Sequence, residues 1–270
     1  MPQPDPFKYS LHLADNALII GQRNSEWCAH GPVLEQDIAI TNISLDLLGQ
    51  ARNFYQYAAL LFNEFSHNEK EAVDYLLPRP WKNYDRELTE DDLAFLRDER
   101  QYLNLVITEL PNGDWAHTIL RQFFFSAHQQ LLYIELQKNS DEQIAAIAEK
   151  SLKEVNYHLR WSSEWVIRLG DGTTESHQRM KNALDELWNF TPEMFTPASY
   201  ELLDVSNLKE LWQEKINKVC EEATLASSLF SSAGKGSGVR IGKEGQHTEY
   251  LGYILTQMQY LQRAYPNSQW

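Results

Sequence analysis

Cysteine is scarce. Cys28 and Cys220 are the only two among 270 residues, and no Cys-x-x-Cys pair occurs. That excludes a disulfide framework or a cysteine-based zinc site and makes a reducing compartment the default. Long apolar runs are also missing, since none approaches the ~18 residues of a membrane span. The first ten residues mix prolines with charged residues, where a secretory leader would place a basic head and an apolar stretch. Positive charge is in short supply: 24 Lys and Arg against 38 Asp and Glu leave a formal net charge of −14. A nucleic-acid binder carries the opposite footprint. These absences predict a cytoplasmic protein with neither nucleic acid nor membrane as partner. Hydrophobic residues at 43% and aromatics at 12% are ample for a packed core and exclude global disorder.

Strand signals are nearly absent, and helical periodicity dominates. Apolar residues recur at i, i+3/i+4 from Leu34 to Phe62, about eight turns of a 3.6-residue helix. Leu11 to Cys28 reads as a helix ended near Gly31-Pro32. Asp114 caps a strongly apolar helix to about Lys138, and Asp141 starts another that continues to Leu169 and ends at Gly170. The pattern predicts an all-α, single-domain chain over 1–270. Its four core helices are 11–28, 34–62, 114–138 and 141–169, with further helices around them. Two helical hairpins joined by a long crossover are the plan of a ferritin-like four-helix bundle. Between them, 63–92 reads as an acidic surface excursion. Thr89 followed by Glu90, Asp91 and Asp92 signals a helix running to about Leu110, broken by Pro111-Asn112-Gly113. Later helices are expected at 174–190, 206–228 and 246–265.

Ferritin-like di-iron proteins take one Glu from each of two core helices and a Glu-x-x-His from each of the others. Spacing i, i+3 puts both ligands on one helix face, and the carboxylates neutralise the iron charge. Those ligands are missing here. Helix two reads Asp46-Leu47-Leu48-Gly49-Gln50 and helix four reads Glu154-Val155-Asn156-Tyr157-His158. The first ligand position is apolar in both, Leu47 and Val155, and in helix two an amide, Gln50, replaces the imidazole. Helix three has no Asp or Glu at all from Trp115 to Ile134. No standard metal site can be assembled, so neither a metal ligand nor a catalytic residue is assigned. Glu154 and His158, at i, i+4, are alternatively surviving ligands of an atypical metal site.

An internal echo links the two helices. At a constant offset of 108, Asp46, Leu47, Gln50 and Arg52 answer to Glu154, Val155, His158 and Arg160. The residues left over predict a polar network of Asp46, Gln50, Lys150, Glu154 and His158 in the old site. Lys150, at i relative to Glu154 at i+4 and His158 at i+8, is expected to neutralise the carboxylates where metal once did. Gly234 to Lys243 resembles a phosphate loop only superficially, because no G-x-x-x-x-G-K-[ST] is present and no strand precedes it. It reads as a flexible basic loop at a subunit contact, or alternatively one touching CoA phosphates.

Several stretches resemble one family. They include Gly21-Gln22-Arg23 with Glu26-Trp27-Cys28, Leu45 through Phe54, Arg97-Asp98-Glu99-Arg100 and Leu110-Pro111-Asn112-Gly113. Tyr157-His158-Leu159-Arg160, Arg168 through Thr173, His247-Thr248-Glu249 and Met258 through Arg263 continue the resemblance. Together they resemble the C-subunit family of bacterial phenylacetyl-CoA 1,2-epoxidases, with 63–90 longer than expected. The resemblance implies a non-catalytic structural subunit in aerobic phenylacetate degradation. It implies pairing with a paralogous catalytic A subunit that carries the di-iron centre, with no cofactor on this chain. Reductase and small subunits of an NADPH-dependent complex are implied as further partners. The A subunit's Asp-Glu-Leu-Gly-His pattern aligns with Asp46 to Gln50, which places Leu47 and Gln50 at its ligand positions.

Overall fold

The computed structural model describes residues 5–83, 85–225, 241–265 and 268. Among them there are only helices, turns and extended segments, and no strand. Helix α1 (Pro6–Ser25) begins at an Asp5 N-cap whose carboxylate accepts from the Lys8 amide, with proline in the first turn. Proline costs nothing there, because the first-turn amides have no intrahelical acceptor. The expected start at Leu11 was therefore late, and the signal for the true start lay in Asp5-Pro6. Helix α2 (Leu34–Glu64) packs along α1 as the first hairpin.

The second hairpin is α6 (Trp115–Leu136) and α7 (Glu142–Gly170). Asp114 caps α6 through the His117 amide, and Asp141 caps α7 through the amides of Gln143 and Ile144. Partners 36/161, 46/158, 50/154 and 57/141 run in opposite senses, so α2 and α7 are antiparallel. The four core helices form the all-α, ferritin-like bundle, filled by Phe54, Phe123, Phe124, Leu47 and Val155.

The crossover differs from expectation. No helix spans 89–110: α4 covers only Glu90–Phe95, a 3-10 turn covers Glu99–Gln101, and α5 is one turn, Val106–Glu109. Tertiary hydrogen bonds override the helical signal. Arg97 is fully buried; its guanidinium ion-pairs with Asp15 of α1 and also donates to the carbonyls of Leu93 and Gln101. The next amides then go to α1 side chains, Leu103 N to Asp15 at 2.7 Å and Leu105 N to Asn16 at 2.8 Å. Nor is 63–92 a mere surface excursion. After α3 (His67–Ala72), Leu76, Leu77 and Leu88 are buried, and Asn63 near the end of α2 pairs with both backbone groups of Leu88.

The remaining helices are shorter than expected: α8 (Thr174–Leu187), α9 (Lys209–Glu222), α10 (Glu249–Met258) and α11 (Tyr260–Ala264). Residues Trp188–Phe195 continue α8 as a 3-10 segment containing Pro192. Of the glycine-rich stretch, 234–240 lies outside the described residues. At the described end of the stretch, Lys243 is not a free surface charge, because its ammonium is buried 2.8 Å from Glu201. No helix among the described residues is long and apolar enough to cross a membrane.

Candidate functional site

The α2–α7 seam brings four of the five predicted polar residues together. His158 Nε2 donates to the Asp46 carboxylate at 3.0 Å, the acid fixing which ring nitrogen carries the proton. One turn along, Gln50 Nε2 donates to Glu154 at 2.9 Å. The pairing is crosswise relative to the internal echo: Asp46 meets the counterpart of Gln50, and Gln50 meets the counterpart of Asp46. From α6, Gln129 Nε2 donates to Gln50 Oε1 and to the Tyr133 hydroxyl, both at 3.0 Å. Burial, and then the Glu154 charge, push the Tyr133 phenol well above its usual range, so Tyr133 stays protonated.

Lys150 does not join this network. Its side chain is exposed in a groove between α2 and α7, and it forms no ion pair with Glu154. Eight residues along a helix accumulate about 80° of rotation, which sets the exposed Lys150 off from the buried His158. A strongly hydrated ammonium favours the solvent side, and the Gln50 amide supplies the donor to Glu154 instead.

Leu47 and Val155 are both fully buried. At Leu47 the helices are close: a Cβ placed on Gly21 of α1 would lie 3.3 Å from Leu47 Cβ. On α6 the buried polar groups include amides, hydroxyls, the Arg121 guanidinium and the His128 imidazole, and no carboxylate. Gln122 accepts from Asn24 at 2.6 Å and donates to Ser126 at 2.8 Å. This donor set does not fit a di-iron centre, because two dications need several carboxylates and the network offers Glu154 and a half-exposed Asp46. No group of three or more His, Cys, Asp or Glu that could hold a metal occurs among the described residues. His158 Nδ1, Gln129 Oε1 and Ser151 Oγ are buried without a hydrogen-bond partner among the described residues.

Sequence reasoning missed a second and larger polar cluster, between α1, the crossover and the C-terminal segments. Glu109 accepts from His247 at 2.8 Å and from the Thr248 amide at 2.6 Å. Burial opposes charge on His247, but the Glu109 carboxylate outweighs it and raises the imidazole. Glu193 accepts from the amides of Val106 and Lys243, yet burial lifts it to about 7. Burial first, and the Lys243 charge second, lower His12 and His128 to about 3. The isolated residues Arg97, Glu109 and His247 gave no periodic signal, since their partners lie far away in the chain, as with His247 and the Tyr102 carbonyl, 145 positions apart. The cluster staples segments that lack secondary structure of their own.

The family described as phenylacetic acid catabolic protein matches residues 2–270. Among curated proteins the chain is similar to one from Escherichia coli strain K12, described as the C subunit of 1,2-phenylacetyl-CoA epoxidase. The two are 42% identical over 270 residues, 97% of this chain and 98% of that protein.

Proposed function

Since the chain belongs to the phenylacetic acid catabolic protein family, we propose that it is a non-catalytic structural subunit of a multicomponent phenylacetyl-CoA epoxidase. In this reading it pairs with the catalytic A subunit, a paralogue that carries the di-iron centre, and maintains that subunit's integrity. A reductase delivers electrons from NADPH to the partner's iron, and small subunits complete the assembly. No cofactor resides on this chain.

One observation carries the reading: Leu47 and Val155 are completely buried at the two positions where ligand carboxylates would have to stand. The amide of Gln50, hydrogen-bonded on both sides, occupies the adjoining imidazole position. What the residues do here is hold α2, α6 and α7 in register. Gln50 joins all three, and His158–Asp46 closes the seam one turn away.

The test is reconstitution of NADPH-dependent epoxidation of phenylacetyl-CoA. The catalytic and reductase subunits are assayed with and without this chain, alongside the melting temperature of the catalytic subunit. Activity and thermal stability should both rise on adding the chain. Epoxidation by this chain plus reductase, with no catalytic subunit present, would overturn the proposal.

A further inference from the structure

We infer that the solvent face of α2, centred on Gly49 and bordered by Lys150, Lys153 and Arg160 of α7, is the surface that seats a helix of the di-iron partner subunit. The inference rests on the pairing proposed above and adds where and by what chemistry it occurs. Leu34, Ile38, Leu45 and Leu60 are 72%, 52%, 61% and 53% exposed, and all project from one side of a 31-residue helix. Leu34, Ile38 and Leu45 follow one another within three turns, and Leu60 stands further along beyond Gly49, Arg52 and Gln56, so the apolar part of the face is its N-terminal half.

Gly49 is the second and independent observation. It is exposed in the middle of α2, and a Cβ placed there meets nothing within 4 Å. Its φ is not positive, so the backbone does not require glycine. Alanine would fit and would favour the helix. Nothing among the described residues accounts for glycine here, and close approach of another chain does. Between α2 and α7 the face continues as a groove of about 540 Å³ lined by Asn53, Gln56, Leu60, Gln143, Ala146 and Lys150.

Charge selects the occupant. The chain carries a net −14, yet Lys150, Lys153 and Arg160 are exposed on α7 beside this face and form no ion pair among the described residues. Arg160 lies over the ring of Tyr157, 5.8 Å from its centroid. The fitting partner is therefore a helix that sets a large apolar side chain against Gly49 and carboxylates against the lysines. A second copy docked on the same face through a two-fold axis would set these lysines against one another.

The experiment measures the Kd between this chain and the catalytic A subunit of the same source, with four versions of this chain: wild type, Gly49→Leu, Lys150→Glu/Lys153→Glu and Leu211→Glu. Leu211 is equally exposed at 50%, but lies on α9. Gly49→Leu should weaken binding at least tenfold with an unchanged or higher melting temperature. The double charge reversal should do the same, while Leu211→Glu binds as wild type. Wild-type affinity in Gly49→Leu would overturn the surface while leaving the pairing intact. Absence of any wild-type complex would overturn the pairing and the surface together. Self-association of the chain that Gly49→Leu abolishes, with partner binding unaffected, would assign the face to a second copy and overturn the inference.

Discussion

His158 donates through Nε2 to Asp46 at 3.0 Å, while its other ring nitrogen is buried with no hydrogen-bond partner among the described residues. The imidazole thus depends on a single contact to satisfy its proton. Asp46→Ala should cost about 1–3 kcal/mol by leaving that donor unsatisfied. Asp46→Asn, which retains an acceptor oxygen, should cost less. Urea unfolding of the two variants separates them, and equal losses would mean that the hydrogen bond is not the cause.

Glu154 should behave differently. It is only half-buried, and its partner is the neutral Gln50 amide, so Glu154→Ala should cost about 1 kcal/mol, the net worth of an ordinary hydrogen bond. Asp15→Asn is the contrasting case, because Asp15 and Arg97 are both fully buried. Removing one charge strands the other, at a cost of roughly 3–5 kcal/mol. Thermal melts of the two variants should differ accordingly; a Glu154→Ala loss as large as that of Asp15→Asn would contradict the ranking.

Gly49→Ala should stabilise the isolated chain by about 0.5–1 kcal/mol, since it removes the helix-interior glycine penalty at a site where a methyl group has room. A lower melting temperature would show that the glycine serves the fold itself.

Stability toward acid should depend on His12 and His128. Their folded values near 3 lie below the ordinary 6.5, so the folded chain binds fewer protons than the unfolded one between those limits. The stability they contribute is complete above 6.5 and is lost as pH falls toward 3. Glu193, raised from 4.5 to about 7, works in the opposite sense and favours the fold as pH falls through that window. Between pH 7 and 5, His128→Leu should lose about 2 kcal/mol less than wild type. Urea titrations at the two pH values check it, and identical losses would contradict it.

The four bundle helices were legible because each carries an apolar stripe at helical spacing and, for α6 and α7, an aspartate cap. Segment 97–110 was not, because its conformation is set by Asp15 and Asn16, side chains almost ninety residues away. The seam was legible in part. The echo between Asp46/Gln50 and Glu154/His158 identified the residues that meet, but not that they pair crosswise. Lys150 was misplaced because spacing along one helix ignored the rotation that turns it to solvent. Gly49 sits between Asp46 and Gln50 in the chain, but the absence of any neighbour around it is visible only in three dimensions.

Iron analysis of the separated subunits decides whether this chain holds a di-iron site of its own. The triple variant Leu47→Glu, Gln50→His, Val155→Glu, which restores Glu-x-x-His in both helices, belongs in the same experiment. It still has no carboxylate on α6 between Trp115 and Ile134, and its new glutamates enter fully buried apolar positions where burial favours the neutral acid. The account predicts no stoichiometric iron in the wild-type chain, at most substoichiometric iron or poor folding in the variant, and stoichiometric iron in the catalytic partner. Two irons per wild-type chain, purified free of the partner, would contradict it.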